Sequence, residues 1–266
     1  MSLLLFQKTM SLVIIKLAAI PLLLWMVMIV SRHFGSLVGG VVSGLPLTSA
    51  TISFFMAIEL GSEFAYRAAW GAFQGILAYI VFGLLFIHAC RRFHWSIAFM
   101  MAVLGFFLAA WMSATLPIPT WIWIPLSAAA MVVGVRLMPP IDPKGKTVPT
   151  SQYKKPPYLQ MVSGSLLTLL ITTIANHVGP IYSGILLFFP VIGGVLGIFY
   201  LKNQYTNAAI QLYKGAFLGK LTGWTFMLTL LTALPYTNIP MAYTFGLITA
   251  GLISVLFVKR ARKQSR

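Results

Sequence analysis

Two prolines, Pro46 and Pro190, lie near the middle of long apolar runs of the sequence. Proline lacks an N–H group and its ring clashes with the carbonyl four residues earlier, so each is expected to kink or break a helix. A helix that breaks inside a membrane exposes backbone N–H groups, and the positive end of its dipole attracts anions. Both breaks are therefore candidate solute-binding elements. The alternative is a pair of packing kinks that let helices approach closely beside small residues.

Hydroxyl groups and glycines flank these breaks, and Phe188 and Phe189 precede the second. The candidate substrate-binding residues are Ser43, Gly44, Pro46, Thr48, Ser49, Thr51, Pro190, Gly193, Gly194 and Lys220. Lys220 follows Asn207 by about 20 Å at a helical rise of 1.5 Å per residue, which places it near mid-membrane. Charges at that depth are costly and usually face the interior of a bundle, so Lys220 is the best candidate for a functional cation. Snorkelling explains Lys16 and Lys214, which are nearer to span ends.

A second group of polar residues is a candidate for coupling or gating: Glu59, Glu63, Arg67, His33 and His177. Glu63 and Arg67 are four residues apart, so we expect an ion pair on one helical face. Glu59 has no such evident partner in the sequence and is the candidate proton-titrating acid, although a solvated helix end is the simpler explanation for it. Histidine titrates near neutrality, which suits a gate or relay, but a place at the membrane interface is the simpler explanation for both histidines.

The composition restricts the class of protein that contains these residues. Of 266 residues, 59% are hydrophobic and 8% are charged, whereas soluble proteins carry about 25% charged residues. Three acids, Glu59, Glu63 and Asp142, stand against nineteen lysines and arginines. This balance excludes a soluble nucleic-acid binder, which needs a hydrated basic face, and a hydrolase with paired carboxylates. A disulfide scaffold is excluded because Cys90 is the single cysteine.

Enzyme and cofactor motifs are missing from the sequence. Its histidines have no metal-ligand spacing with a thiol or carboxylate, so we expect no metal site. There is no P-loop, no nucleophile elbow and no HExxH motif, which argues against ATP-driven transport by this chain and against common hydrolases. We therefore expect no enzymatic activity and no cofactor.

Nine apolar runs are long enough to cross a bilayer, at about 20 residues each. Their approximate bounds are 10–31, 37–58, 64–88, 95–113, 119–138, 158–176, 180–201, 207–233 and 239–258. Fourteen of the nineteen basic residues fall in the loops and tail of one side. This excess predicts that the C-terminus is cytoplasmic and the N-terminus outside. The Pro-rich stretch Pro139–Pro157 is expected to be an irregular cytoplasmic linker. The alternative is a patch that binds lipid or a partner.

The sequence repeats itself at an offset of 144 residues. Matching pairs include His33 and His177, Gly35 and Gly179, Gly40 and Gly184, Pro46 and Pro190, and Gly75 and Gly219. Corresponding spans are five apart, an odd number, so the two halves must cross the membrane in opposite directions. The predicted fold is all-α: a 4+1+4 inverted-topology repeat with broken helices two and seven. Its parts are a first repeat (1–113), a connector helix with its linker (114–157) and a second repeat with a basic tail (158–266).

Residues 39–63, GGVVSGLPLTSATISFFMAIELGSE, and 67–86, RAAWGAFQGILAYIVFGLLF, resemble the GlpM family of small bacterial inner-membrane proteins. The shared pattern is a glycine, a short apolar step, Leu-Pro, a run of small and hydroxyl residues, and Gly-x-Glu. Residues 183–190, SGILLFFP, are similar to the same step, but Tyr205-Thr206-Asn207 replaces Gly-Ser-Glu. The resemblance implies a multi-pass protein of the bacterial inner membrane, built from two fused repeats in opposite orientation. It implies no substrate.

Inverted repeats are the architecture of many secondary transporters. We therefore expect a transporter or exporter of a small anionic or zwitterionic solute, working by alternating access around the breaks. The alternatives are a flippase or scramblase for an anionic lipid, and a non-transporting membrane subunit of an envelope or secretion system. Expected partners are the lipid bilayer, a solute or lipid substrate, and a second copy or a membrane-complex partner; nucleic acid is not expected.

Overall fold

The structure, a computed structural model, describes residues 25–146 and 177–264, and ten further positions: 22, 148, 158, 159, 162, 163, 166, 170, 173 and 174. Its helices are α1 (25–44), α2 (Leu47–Leu60), α3 (Ser62–Ala89), α4 (Trp95–Thr115), α5 (Trp123–Leu137), α6 (Pro180–Leu186), α7 (Val191–Lys202), α8 (Thr206–Ala233) and α9 (Ile239–Gln264). A 3₁₀ turn, Thr120–Ile122, precedes α5. The all-helical class predicted from the sequence is thus confirmed for the described residues.

Six helical stretches within the described residues are long and apolar enough to cross a membrane. They are Trp25–Leu60, Ser62–Ala89, Trp95–Thr115, Thr120–Leu137, Pro180–Lys202 and Thr206–Ala233, and a shorter apolar stretch covers Ile239–Val255. The number of nine spans stays a prediction, because the expected spans 10–31 and 158–176 fall largely outside the described residues. Lys16 also lies outside them.

The chain reverses direction at Gly35, within α1. The φ angle of Gly35 is +85°, a conformation that glycine adopts without steric cost. A Cβ added to Gly39 would clash with the hydroxyl of Ser31, although eight residues of straight helix would separate these positions by about 12 Å. The helix therefore folds back on itself. The loop expected between residues 31 and 37 is a turn at one glycine, with helix on both sides.

Both expected helix breaks are present. Leu45 and Pro46 interrupt the chain between α1 and α2, and residues 187–190 lie between α6 and α7. The first helical hydrogen bond runs from Ala50 N to Pro46 O (2.6 Å) in α2 and from Gly194 N to Pro190 O (2.7 Å) in α7. Neither helix has a side-chain cap. No side chain therefore caps the first-turn N–H groups at either break, and at the second break Val191 N donates to the backbone oxygen of Phe189 (2.8 Å).

Helices in the two parts of the chain begin 144 residues apart. The three pairs of first residues are Leu47 and Val191, Ser62 and Thr206, and Trp95 and Ile239. α3 and α8 are each 28 residues long. A glycine with positive φ, Gly35 at +85° or Gly179 at +80°, precedes each broken helix. The offset seen in the sequence is therefore also the offset of the helix starts and turns.

Glycines bring each broken helix against the long helix of the other part. Four glycines lack room for a Cβ because a carbonyl of the facing helix lies there: Gly40 faces Leu212, Gly215 faces Leu37, Gly184 faces Ala68, and Gly71 faces Ile181. We call these four contacts the glycine seam. Lipid provides little hydrophobic force between helices, so such close backbone packing is a main source of their association. α3 and α8 are consequently central, while α4 exposes an apolar stripe that suits acyl chains.

Candidate functional site

Lys220 lies at the middle of α8, fourteen residues after Thr206 and thirteen before Ala233. The side chain is only 7% exposed. Its Nζ is 4.7 Å from the ring centroid of Tyr79 and 5.0 Å from that of Phe188. Both distances are within the range of a cation–π contact. Tyr79 comes from α3 and Phe188 from the second break, so three separate elements meet at the ammonium group.

No acid neutralises Lys220 in the part of the chain that the structure describes. All three acids are described and exposed: Asp142 lies in the linker, Glu59 near the end of α2 and Glu63 at the start of α3. Among the described residues, the ammonium forms no hydrogen bond or ion pair and has the two ring faces as partners. A buried charge that lacks a counter-charge is costly, because desolvation is not repaid. The site is therefore suited to a ligand that brings a negative charge.

The first break packs close to Lys220 because two glycines, Gly44 and Gly223, leave room for it. A Cβ on Gly44 would approach the Cα of Gly219 to 2.7 Å, next to Lys220 in the chain. A Cβ on Gly223 would lie 3.2 Å from the ring of Phe188 and 3.9 Å from Pro46. Of the predicted binding residues, the structure thus places Gly44 and Pro46 against the helix segment that carries Lys220.

The hydroxyl groups beside the first break bond to nearby backbone or to a neighbouring helix. The Oγ of Ser43 donates to Gly40 O (2.7 Å), and that of Ser49 donates to Pro46 O (3.4 Å). Ser53 Oγ and the hydroxyl of Tyr243 are 2.6 Å apart and join α2 to α9. Thr48 and Thr51 are half-buried. Serine hydroxyls thus support the helices on both sides of this break.

The second break is packed by aromatic rings. The hydroxyl of Tyr213 donates to Gly193 O (3.0 Å), which ties α7 to α8. A Cβ on Gly194 would lie 3.3 Å from the ring of Phe99. Phe189, which precedes Pro190, is 5.0 Å from Phe106 between ring centroids. This break is therefore held in a large aromatic cluster.

The five candidate coupling or gating residues lie near turns and helix ends. Glu63 and Arg67 form the expected pair, with 2.8 Å between Oε1 and Nε, and both are exposed. Glu59 is exposed near the end of α2 and is not isolated there. His33 and His177 are also exposed. None of the five contributes to the surroundings of Lys220 described above.

Sequence reasoning missed Tyr79, Gly219 and Gly223, and noted Phe188 only as a flanking residue. No local pattern connects them, since packing between distant helices brings them to Lys220. Among the described residues, no group of three or more histidines, cysteines and acids could hold a metal ion.

No protein-family model, curated protein or solved structure matches the chain. The resemblance to the GlpM family therefore stays a prediction, and function is argued from the geometry of the site.

Proposed function

We propose that the protein is a secondary transporter of the bacterial inner membrane that moves a small anionic or zwitterionic solute past Lys220. The observation that carries this proposal is the position of Lys220 at the centre of the 28-residue helix α8. There it is buried between two ring faces, and no acid lies beside it among the described residues. A carboxylate or phosphate of the solute would supply the counter-charge. A structural lysine at this depth would be expected to pair with an acid or a backbone carbonyl.

The proposed architecture is an inverted duplication of four spans on each side of one connector. The common offset of the helix starts and of the glycine seam supports it, because Gly40 packs on α8 as Gly184 packs on α3. Two such halves are related by an axis in the membrane plane. That axis puts the middle of α3 and of α8, and so Lys220, near the midplane, where inverted-repeat transporters bind their substrates.

Movement of the halves is required for the solute to reach Lys220 along α8. The residues between Lys220 and the start of α8 are tightly packed, with Leu212, Tyr213, Ala216 and Phe217 fully buried. We propose that rocking of the two halves opens this path, as in other alternating-access carriers.

Counterflow in proteoliposomes tests the transport proposal. A panel of labelled carboxylates, phosphate esters and amino acids is offered to the wild type, Lys220→Met, Lys220→Arg and Lys214→Gln. We expect Lys220→Met to abolish uptake and Lys220→Arg to retain part of it. Lys214→Gln is the matched control. Lys214 is on the same helix as Lys220 but outside the site, and its Nζ donates to Pro139 O (3.1 Å).

The other outcomes of this assay overturn the proposal. Movement of a fluorescent anionic lipid without movement of any solute would identify a flippase or scramblase. Absence of movement and of ligand-induced thermal stabilisation would leave the non-transporting subunit. Uptake that survives Lys220→Met, in protein whose melting temperature is not lowered, would remove Lys220 from the path.

Cysteine labelling tests the proposed topology. His33→Cys and His177→Cys place thiols at exposed, corresponding positions, in a Cys90→Ser background. Burial raises the pKa of the native Cys90 thiol to about 11, so its reactive thiolate is scarce at neutral pH in any case. We expect the two sites to be labelled from opposite faces, His33→Cys from the cytoplasm. Labelling from one face would contradict the inverted arrangement.

A further inference from the structure

Residues 139–146, which we call the strap, fold back over the start of α8. Asp142 N donates to Asn207 Oδ1 (3.0 Å), and Asn207 Nδ2 donates in return to Asp142 O (2.6 Å). The Nζ of Lys146 donates to Gln204 Oε1 (2.5 Å). The reciprocal pair and the lysine contact fix both the middle and the end of the strap. The first part of the linker, predicted to be irregular, therefore has a defined place on the protein.

A half-open cavity lies between the strap, the end of α3 and the start of α8. Its volume is about 630 Å³, within the range of small-ligand sites. Its polar lining includes Arg91, Lys146, Thr206, Asn207 and the single acid Asp142. It is well separated from Lys220 along α8, by about 20 Å at 1.5 Å per residue.

The cavity is electropositive in spite of Asp142. One oxygen of that carboxylate accepts Lys144 N (2.9 Å), so it is already engaged by the strap. Within the described residues, the guanidinium of Arg91 forms no hydrogen bond or ion pair, and the group is exposed to the cavity. Thr206 and Asn207 form the first turn of a 28-residue helix, whose N–H groups and dipole favour an anion. Two cations and a helix start thus converge on one space.

We propose that this cavity binds a phosphate group, supplied either by inorganic phosphate or by the headgroup of an anionic phospholipid. A guanidinium fork matches two phosphate oxygens, and Lys146 adds a point charge from the strap. The cavity lies beside the basic loops that face the lipid phosphates of the proposed cytoplasmic leaflet. This site is separate from the proposed transport site and does not depend on it.

Two matched pairs of variants of the full chain test the site. Lys146→Gln and Lys144→Gln remove the same charge from exposed positions of the strap, but Lys144 does not line the cavity. Arg91→Gln and Arg92→Gln form the same kind of pair at the end of α3. Gln204→Ala removes the contact of Lys146 with its partner and keeps the ammonium group.

Binding is measured in nanodiscs, with inorganic phosphate added to discs of phosphatidylcholine and with phosphatidylglycerol built into the discs. We expect Lys146→Gln and Arg91→Gln each to weaken binding about tenfold, the loss of one charged hydrogen bond. Lys144→Gln and Arg92→Gln should change it less than about twofold, since charges outside the cavity are screened. Gln204→Ala should also change it less than about twofold, because it leaves both cations of the cavity in place. Stabilisation by phosphate in phosphatidylcholine identifies the free anion, and retention of phosphatidylglycerol alone identifies the headgroup.

Equal losses in both members of each pair would show diffuse surface attraction and overturn the proposal. Absence of phosphate stabilisation and of phosphatidylglycerol retention in the wild type would overturn it as well. Lys146→Gln keeps the test decisive if Arg91→Gln does not fold, because the strap position is exposed.

Discussion

The two helix breaks share a backbone plan and differ in their surroundings. Pro46 and Pro190 each precede a helix that has no side-chain cap, and they are 144 residues apart. Two residues before Pro46, Gly44 lets α8 approach closely. Two residues before Pro190, Phe188 places its ring 5.0 Å from the Nζ of Lys220. Corresponding positions thus have different roles: Gly44 permits close helix packing, whereas Phe188 forms part of the candidate site.

This asymmetry extends to all three groups that meet at the ammonium. Offset by 144 residues, Lys220, Tyr79 and Phe188 correspond to Ile76, Gly223 and Gly44. Gly223 faces the ring of Phe188, and Gly44 faces Gly219. Gly223 therefore makes room for the ring of Phe188, and Gly44 makes room for the backbone of the helix that carries Lys220. Under the proposed duplication, a symmetric scaffold carries one cation site near its axis rather than two.

The glycine seam is the shared part of the two halves, and changes there should have the largest effect. Gly40→Val and Gly184→Val each place side-chain atoms where a carbonyl of the facing helix lies. Backbone cannot move aside cheaply, so we expect each to lower stability by about 3 kcal/mol or more. The melting temperature in detergent should fall by roughly 6–12 °C, at about 2–4 °C per kcal/mol.

Gly251→Val is the control for the seam, because a Cβ at Gly251 would meet open space. It should leave stability unchanged or raise it slightly, because valine has a higher helix propensity than glycine. If Gly40→Val were tolerated and Gly184→Val were not, the two halves would not share the same seam.

The two halves differ at the site between them. There we expect Lys220 to be energetically coupled to Phe188 but not to the adjacent residue Phe189. Lys220→Met removes a buried charge, so we expect it to raise stability by about 1–3 kcal/mol while abolishing stabilisation by anions. In a double-mutant cycle with Phe188→Leu, the coupling energy should be about 0.5–2 kcal/mol, as for other cation–π contacts. Thermal or chemical unfolding of the four variants measures it.

Phe189→Leu supplies the control for that cycle. Phe189 is also buried but packs with Phe106 and Phe107, so its coupling to Lys220 should be close to zero. Equal coupling energies for Phe188 and Phe189 would mean that a general effect of core packing, and not the ring below the ammonium, is being measured.

The smallest expected effects concern the hydroxyls that secure each broken helix. Tyr213→Phe loses the hydrogen bond to Gly193 O, and Tyr243→Phe loses the one with Ser53. Each should lower stability by about 1 kcal/mol, and the two losses should add because they share no partner. Tyr236→Phe, at a residue that is 87% exposed, should have no effect. A marked departure from additivity would indicate that the breaks are mechanically linked.

Local sequence patterns predicted the long helices and the breaks well. The expected runs 64–88 and 207–233 agree within two residues with Ser62–Ala89 and Thr206–Ala233, because hydropathy determines both a span and its ends. Pro46 and Pro190 act through their own backbone, so their breaks were also predictable. Lys220 was expected to be buried for the same reason, since its depth follows from its distance along one helix.

Contacts between distant segments could not be predicted in this way. Nothing near Tyr79 in the sequence indicates that its ring meets Lys220, because their helices are brought together by glycines elsewhere. The turn at Gly35 was expected as a short loop, because Arg32 and His33 are polar, whereas the positive φ of one glycine is enough to reverse the chain.

The glycine seam has a consequence for how the protein is made. Residues 36–44 pack against residues 212–219 of α8, which are synthesised about 175 residues later. At roughly 5–20 residues per second, residues 36–44 therefore wait about 9–35 s for this packing partner. During that interval Gly40 and Gly44 face lipid or insertion machinery. If the chain is divided into two fragments within the linker, we therefore expect each fragment to fold only when both are synthesised in the same cell. Each fragment then supplies the helix against which the other packs.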